Sequence, residues 1–111
     1  MNRISLSPII LCLVLLTGCA PSKQEFDTIA TTVQGSAKAR KYALGECMKS
    51  WTPRQRREAA IIIDSSEKDA ARLVCSRVVE GIRSGRLEYA DAVDITRRRF
   101  TPKLIKILQG R

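Results

Sequence analysis

The chain has 111 residues, 44% of them hydrophobic, and carries a net charge of +9 with no histidine. That length holds one small domain, near the lower limit at which a single core is stable unaided. The missing histidine removes the commonest general base, the His-based catalytic triads and the commonest metal ligand, while the positive balance favours anionic partners.

Arg3 and the free amino terminus form a short positive region, and residues 4–16 are an apolar segment interrupted by Ser5, Ser7 and Pro8. A membrane-spanning helix needs about 20 apolar residues, so this segment suits the core of a signal peptide better than a span. Small residues and a cysteine then follow in the order Leu16-Thr17-Gly18-Cys19. That order resembles the lipobox of bacterial lipoprotein precursors. The resemblance implies cleavage before Cys19, a diacylglycerol on its thiol and acylation of the new amino group. Buried acyl chains contribute about 0.8 kcal/mol per CH₂, so such a protein is held on its membrane. Cys12 would leave with residues 1–18. The alternative is an uncleaved N-terminal anchor with an incidental cysteine. Ala20 is not the acidic residue that commonly retains lipoproteins at the inner membrane, so the resemblance implies the periplasmic face of the outer membrane. An exported, lipidated chain is not expected to meet nucleic acid, despite its charge.

Residues 19–23 read as a lipidated tether and residues 24–111 as a single helical domain. From Gln24, the residues Ile29, Val33, Ala37, Leu44, Cys47, Met48 and Trp51 follow helical spacing. Thr31, Thr32, Gly35 and Ser36 weaken the first half of that run. Thr52-Pro53 and Thr101-Pro102 are helix starts, with Thr as N-cap and Pro at the first helical position. Phe100 is expected to point inward and pack on Ile105 as a hydrophobic staple. Asp64 and Glu67 have capping-box spacing ahead of the strongest helix, residues 67–83. Its expected core face is Ala71, Val74, Cys75, Val78, Val79 and Ile82, and Gly85 is its expected C-terminal cap. Residues 87–98 give another helix with Ala90, Val93 and Tyr89 inward. A last short helix carries Leu104, Ile105, Ile107 and Leu108 before Gly110. The fold class is an all-α bundle of four to five helices.

Cys47 and Cys75 each sit among apolar residues on expected helices. An even pair in a small exported domain reads as a disulfide staple, against two free buried thiols or a redox pair without Cys-x-x-Cys spacing. No cofactor and no metal site are expected, and no carboxylate pair has an evident catalytic setting. Asp91 and Asp94 are expected to meet Arg97 and Arg98. The chain therefore reads as non-enzymatic. Two arginine clusters remain as candidate binding residues: Arg54, Arg56 and Arg57, and the run Arg97, Arg98 and Arg99, expected at three consecutive helical positions. Guanidinium groups suit bidentate recognition of phosphate or carboxylate, although charge runs also serve simply as solvated faces. Trp51 and Phe100 adjoin the clusters and could form an amphipathic rim with Tyr42 and Tyr89, or pack in the core.

Length, lipobox and cysteine pair together resemble the small accessory lipoproteins of envelope and conjugation machineries, including entry-exclusion lipoproteins. The expected function is a lipid-anchored binding or adapter protein of the cell envelope. Membrane lipid holds Cys19, and the basic surface meets an acidic protein or a phosphate-bearing envelope component. The alternative is a structural or entry-exclusion factor within a larger complex.

Overall fold

The computed structural model describes residues 20–111; the expected signal peptide, Cys12 and Cys19 lie outside them. The described residues form six helices: α1 (Lys23–Gly35), α2 (Ala37–Cys47), α3 (Pro53–Ile63), α4 (Glu67–Ser84), α5 (Tyr89–Thr96) and α6 (Pro102–Leu108). The all-α class is as read from the sequence. The count exceeds four to five because Ser36 divides the first helical run. Ser36 is extended, and its hydroxyl accepts from the Ala39 N–H at 3.0 Å, so it closes α1 and caps α2. A serine hydroxyl that satisfies an orphan N–H competes with continuing the helix.

The other helix starts follow the same chemistry. Thr52 and Gln55 cap α3 reciprocally with Pro53 at its first position, and the Thr101 hydroxyl accepts from Leu104 N–H to start α6. The Asp64–Glu67 box does not form. Asp64 ends α3 in the left-handed region at φ 56°, and Ser66 caps α4 by accepting from Asp69 N–H. Nor does the tether extend to residue 23. Ser22 and Glu25 cap α1 reciprocally, Pro21 is buried, and its carbonyl accepts from the Tyr89 hydroxyl at 3.0 Å. Packed structure therefore reaches back to Pro21.

Helix α4 is the axis of the bundle. At 1.5 Å per residue its 18 residues run about 27 Å, and α1, α2, α3 and α6 all pack on it, with α5 against α1. Cys75, Val78, Val79 and Ile82 face the core as expected, but Ala70 is the fully buried alanine and Ala71 only half-buried. The α5 helix is turned from its expected phase: Asp91, Ala92 and Thr96 are buried, while Ala90 is exposed and Val93 half-buried. Its start at Tyr89 is marked by the Glu88 N–H, which donates to the Asp91 carboxylate at 2.8 Å; Leu87 enters the core ahead of the helix.

Cys47, at the end of α2, is bonded to Cys75 in the middle of α4, with Cα atoms 5.9 Å apart and a sequence separation of 28. A loop of that size contributes about 3.5 kcal/mol in the chain-entropy account. Leu44 and Trp51 pack over the bond, and the Trp51 indole N–H donates to the Cys47 carbonyl at 2.9 Å.

Candidate functional site: an apolar recess with an arginine mouth

The face of α3 that carries Gln55, Glu58, Ala59 and Ile62 follows the spacing i, i+3, i+4, i+7 and overlooks α4. Between it, α4 and the segment joining α5 to α6 lies a recess of about 120 Å³. Trp51, Ile62, Val74, Val78, Ile95 and Leu108 make its apolar walls, and Glu58, Arg98 and Phe100 stand among the residues lining it. The Trp51 wall is pinned at two points, by its indole bond to Cys47 and by Arg56, whose guanidinium donates to the Trp51 carbonyl at 3.1 Å.

The two arginine clusters meet at one carboxylate. Arg98 Nη1 lies 3.3 Å from Glu58 Oε1, and Arg54 Nε lies 3.1 Å from Glu58 Oε2. The remaining arginines do not join them. Arg99 pairs with Asp94 at 3.0 Å, Arg56 holds Trp51, and Arg57 and Arg97 are exposed and make no ion pair among the described residues.

Arg97, Arg98 and Arg99 do not occupy consecutive helical positions. α5 ends at Thr96; Arg97 is its C-cap, and Arg98 turns into the left-handed region at φ 56°. The Arg98 N–H donates to Ile95 at 3.0 Å and the Arg99 N–H to Asp94 at 2.8 Å, the bond pair of a Schellman motif. This turn closes α5 two residues early and brings the chain to the recess. Phe100 consequently stays 38% exposed on the recess instead of pointing fully inward. The four-membered aromatic rim does not form. Trp51 and Phe100 share the recess, Tyr42 is exposed on α2, and Tyr89 packs on Phe26 with ring centroids 5.9 Å apart.

The carboxylates of α5 also find partners other than those expected. Asp91 is only 6% exposed; it accepts from the Glu88 N–H at 2.8 Å and lies 2.8 Å from Lys103 Nζ. Hydrogen bonds that Lys103 donates, first to Asp91 and then to Glu88, hold its ammonium above the usual pKa. Asp94 meets Arg99 because the left-handed turn swings that residue back over the helix end.

Glu58 as the bridge between the clusters, and Ile95 and Leu108 as recess walls, were not anticipated from sequence. The usable signal was the α3 stripe of Gln55, Glu58, Ala59 and Ile62. Nothing in the residue type of Arg98 announces a left-handed turn. Among the described residues, no helix is long and apolar enough to cross a membrane. Neither a family model, a curated protein nor a solved structure matches the chain.

Proposed function

We propose that this protein is a lipid-anchored, non-enzymatic adapter of the bacterial envelope, tethered through Cys19 at the periplasmic face of the outer membrane. Its basic recess face engages an acidic protein or a phosphate-bearing envelope component. The observation that carries the reading is the convergence of Arg54 and Arg98 on Glu58 beside an apolar recess. Guanidinium groups present planar, paired donors to carboxylate or phosphate, and adjacent apolar surface adds area that a partner can cover.

The placement of the chain entry supports the same reading. Two residue steps separate Cys19 from the buried Pro21, a span of at most about 7 Å. A lipid on Cys19 therefore holds the domain close to the bilayer at its Pro21–Tyr89 contact. From Tyr89, α5 runs eight residues, about 12 Å, before the turn that carries Arg98. The Arg98 turn thus lies one length of α5 along the chain from the Pro21–Tyr89 contact.

Replacement Cys19→Ser tests the anchor, because serine cannot take the thioether-linked lipid. The expected product is unprocessed or released from the membrane; a membrane-bound product of normal size would sink the anchor. Crosslinking in intact cells tests the adapter role, with the expected result that Arg54→Glu combined with Arg98→Glu loses the captured envelope partner.

A second reading is a structural or entry-exclusion factor that packs within a larger complex. Ile61 favours it: this side chain is 81% exposed on α3, one turn from Arg57. Ionic strength separates the two. Capture by charge weakens steeply as salt rises, whereas a packed helical interface resists it.

A further inference from the structure

We infer that the recess is the seat of one apolar side chain, leucine or phenylalanine, presented by an acidic peptide segment of a partner protein. A single carboxylate beside that side chain takes the Arg98 and Arg54 guanidinium groups. This rests on the adapter reading and narrows it to one site and one partner chemistry.

Size and lining set the anchor. The recess, about 120 Å³, is on the order of the roughly 150 Å³ apolar cavity that takes a benzene molecule. Its Trp51, Ile62, Val74, Val78, Ile95 and Leu108 walls reward a hydrocarbon group and nothing charged. An aromatic or branched aliphatic anchor entering a pocket, with charged groups at the rim, is the usual form of an interface hot spot.

Charge at the mouth chooses carboxylate over phosphate. Glu58 already lies between two guanidinium groups. One further carboxylate brings two negative charges against two positive ones. A phosphate near −2 would crowd Glu58 with excess negative charge and leave the apolar walls wet.

The backbone at Arg98 points the same way. Two non-glycine residues among those described have positive φ, Asp64 and Arg98. Aspartate tolerates this region through its short polar side chain, and arginine has no such compensation. Glycine ordinarily holds the position that Arg98 takes in a Schellman turn. Strain of this kind persists where the side chain has a use, and here it sets a guanidinium against Glu58 on the recess.

Trp51 reports on the site directly, because it is the single tryptophan and forms a recess wall. The protein as isolated from expressing cells is titrated with a short synthetic peptide holding one leucine beside one glutamate, and Trp51 emission is followed. A saturable change is expected, weakened at least tenfold when the leucine is replaced by serine, when the glutamate is replaced by lysine, or in Arg98→Gly. Ala59→Phe, which fills the recess from α3, should abolish the response without lowering the melting temperature. Should that variant misfold, Arg98→Gly still decides the matter. Peptide affinity unchanged in a folded Ala59→Phe or Arg98→Gly protein would overturn the inference. A crosslinker placed at Phe100 in intact cells separates this failure from that of the adapter reading. Capture of the same partner by protein with and without Ala59→Phe overturns the recess alone, and no capture from any face overturns the adapter.

Discussion

Helices α5 and α6 end in the same backbone motif but use different residues to make it. At α6 the Gly110 N–H bonds to Ile107 at 3.0 Å and the Arg111 N–H to Lys106 at 2.8 Å, with Gly110 left-handed at φ 76°. At α5 the same two bonds run from Arg98 and Arg99, and an arginine occupies the left-handed position. Glycine at Gly110 answers two local demands. It lacks the Cβ that disfavours positive φ, and a Cβ there would meet the Arg77 guanidinium at 3.0 Å. No comparable demand calls for an arginine at Arg98, and its ion pair with Glu58 is solvent-exposed on both sides. Exposed pairs of this kind contribute about 0–1 kcal/mol. The α6 end is built for stability, and the α5 end gives up some stability to present a side chain.

The largest test removes the disulfide beside the recess, which the α5 end lines through Ile95, Thr96 and Arg98 and the α6 end through Leu108 alone. Cys47 lines the recess below the α5 end, whereas Gly110 abuts Arg77 of α4. Replacing Cys47 and Cys75 by alanine should cost about 3.5 kcal/mol of unfolding free energy, read from urea denaturation. Amide exchange should then quicken more at Arg98 and Arg99 than at Gly110 and Arg111. Equal quickening at both ends would dissolve the distinction between them.

A smaller effect should follow from giving α6 the residue that α5 uses. Gly110→Arg places a side chain at φ 76° and drives its Cβ toward Arg77, which donates to the Leu108 carbonyl at 2.8 Å. The left-handed conformation costs a non-glycine residue about 1–2 kcal/mol, so a loss of that size is expected in the same denaturation assay. An unchanged midpoint would show that such turns are free of strain near this chain's helix ends, and Arg98 would lose its special standing.

How much of this was legible in the sequence depends on the range of the forces involved. Caps and cores were readable because they are local or periodic. Thr52-Pro53, Thr101-Pro102, Gly85 and the α4 face of Val78, Val79 and Ile82 appear where residue type and spacing put them. The Cys47–Cys75 bond was readable from an even pair on apolar faces. Competition between neighbouring caps was harder: Ser66 outdid Asp64, and Ser36 split a run whose apolar spacing crosses it. The recess was not readable, since it forms where α3, α4 and the α5–α6 turn converge. That turn rests on an arginine in a conformation its residue type disfavours. The bonds from Arg98 and Arg99 to Ile95 and Asp94, together with the Arg99–Asp94 and Arg98–Glu58 pairs, hold it there.

The smallest expected effect has a sign that decides the comparison. Arg98→Gly gives the α5 end the residue that α6 already uses. Relief of the left-handed strain contributes about 1–2 kcal/mol in favour of the variant. Against it stand about 0.4–1 kcal/mol for the greater freedom of glycine in the unfolded chain and at most about 1 kcal/mol for the lost pair with Glu58. The balance runs from about 1 kcal/mol lost to about 1.5 kcal/mol gained, with its middle slightly on the side of added stability, so the melting temperature should stay within a few degrees of the parent's. Arg98→Ala keeps the strained backbone while removing the guanidinium, and should melt below Arg98→Gly. Both variants should lose the acidic peptide. A site maintained for binding must show this pattern, with stability kept or gained as binding falls. If Arg98→Gly instead unfolds more easily than the parent by over 1 kcal/mol, the arginine is a structural brace for the α5 end. The two helix ends would then differ only in how each is held.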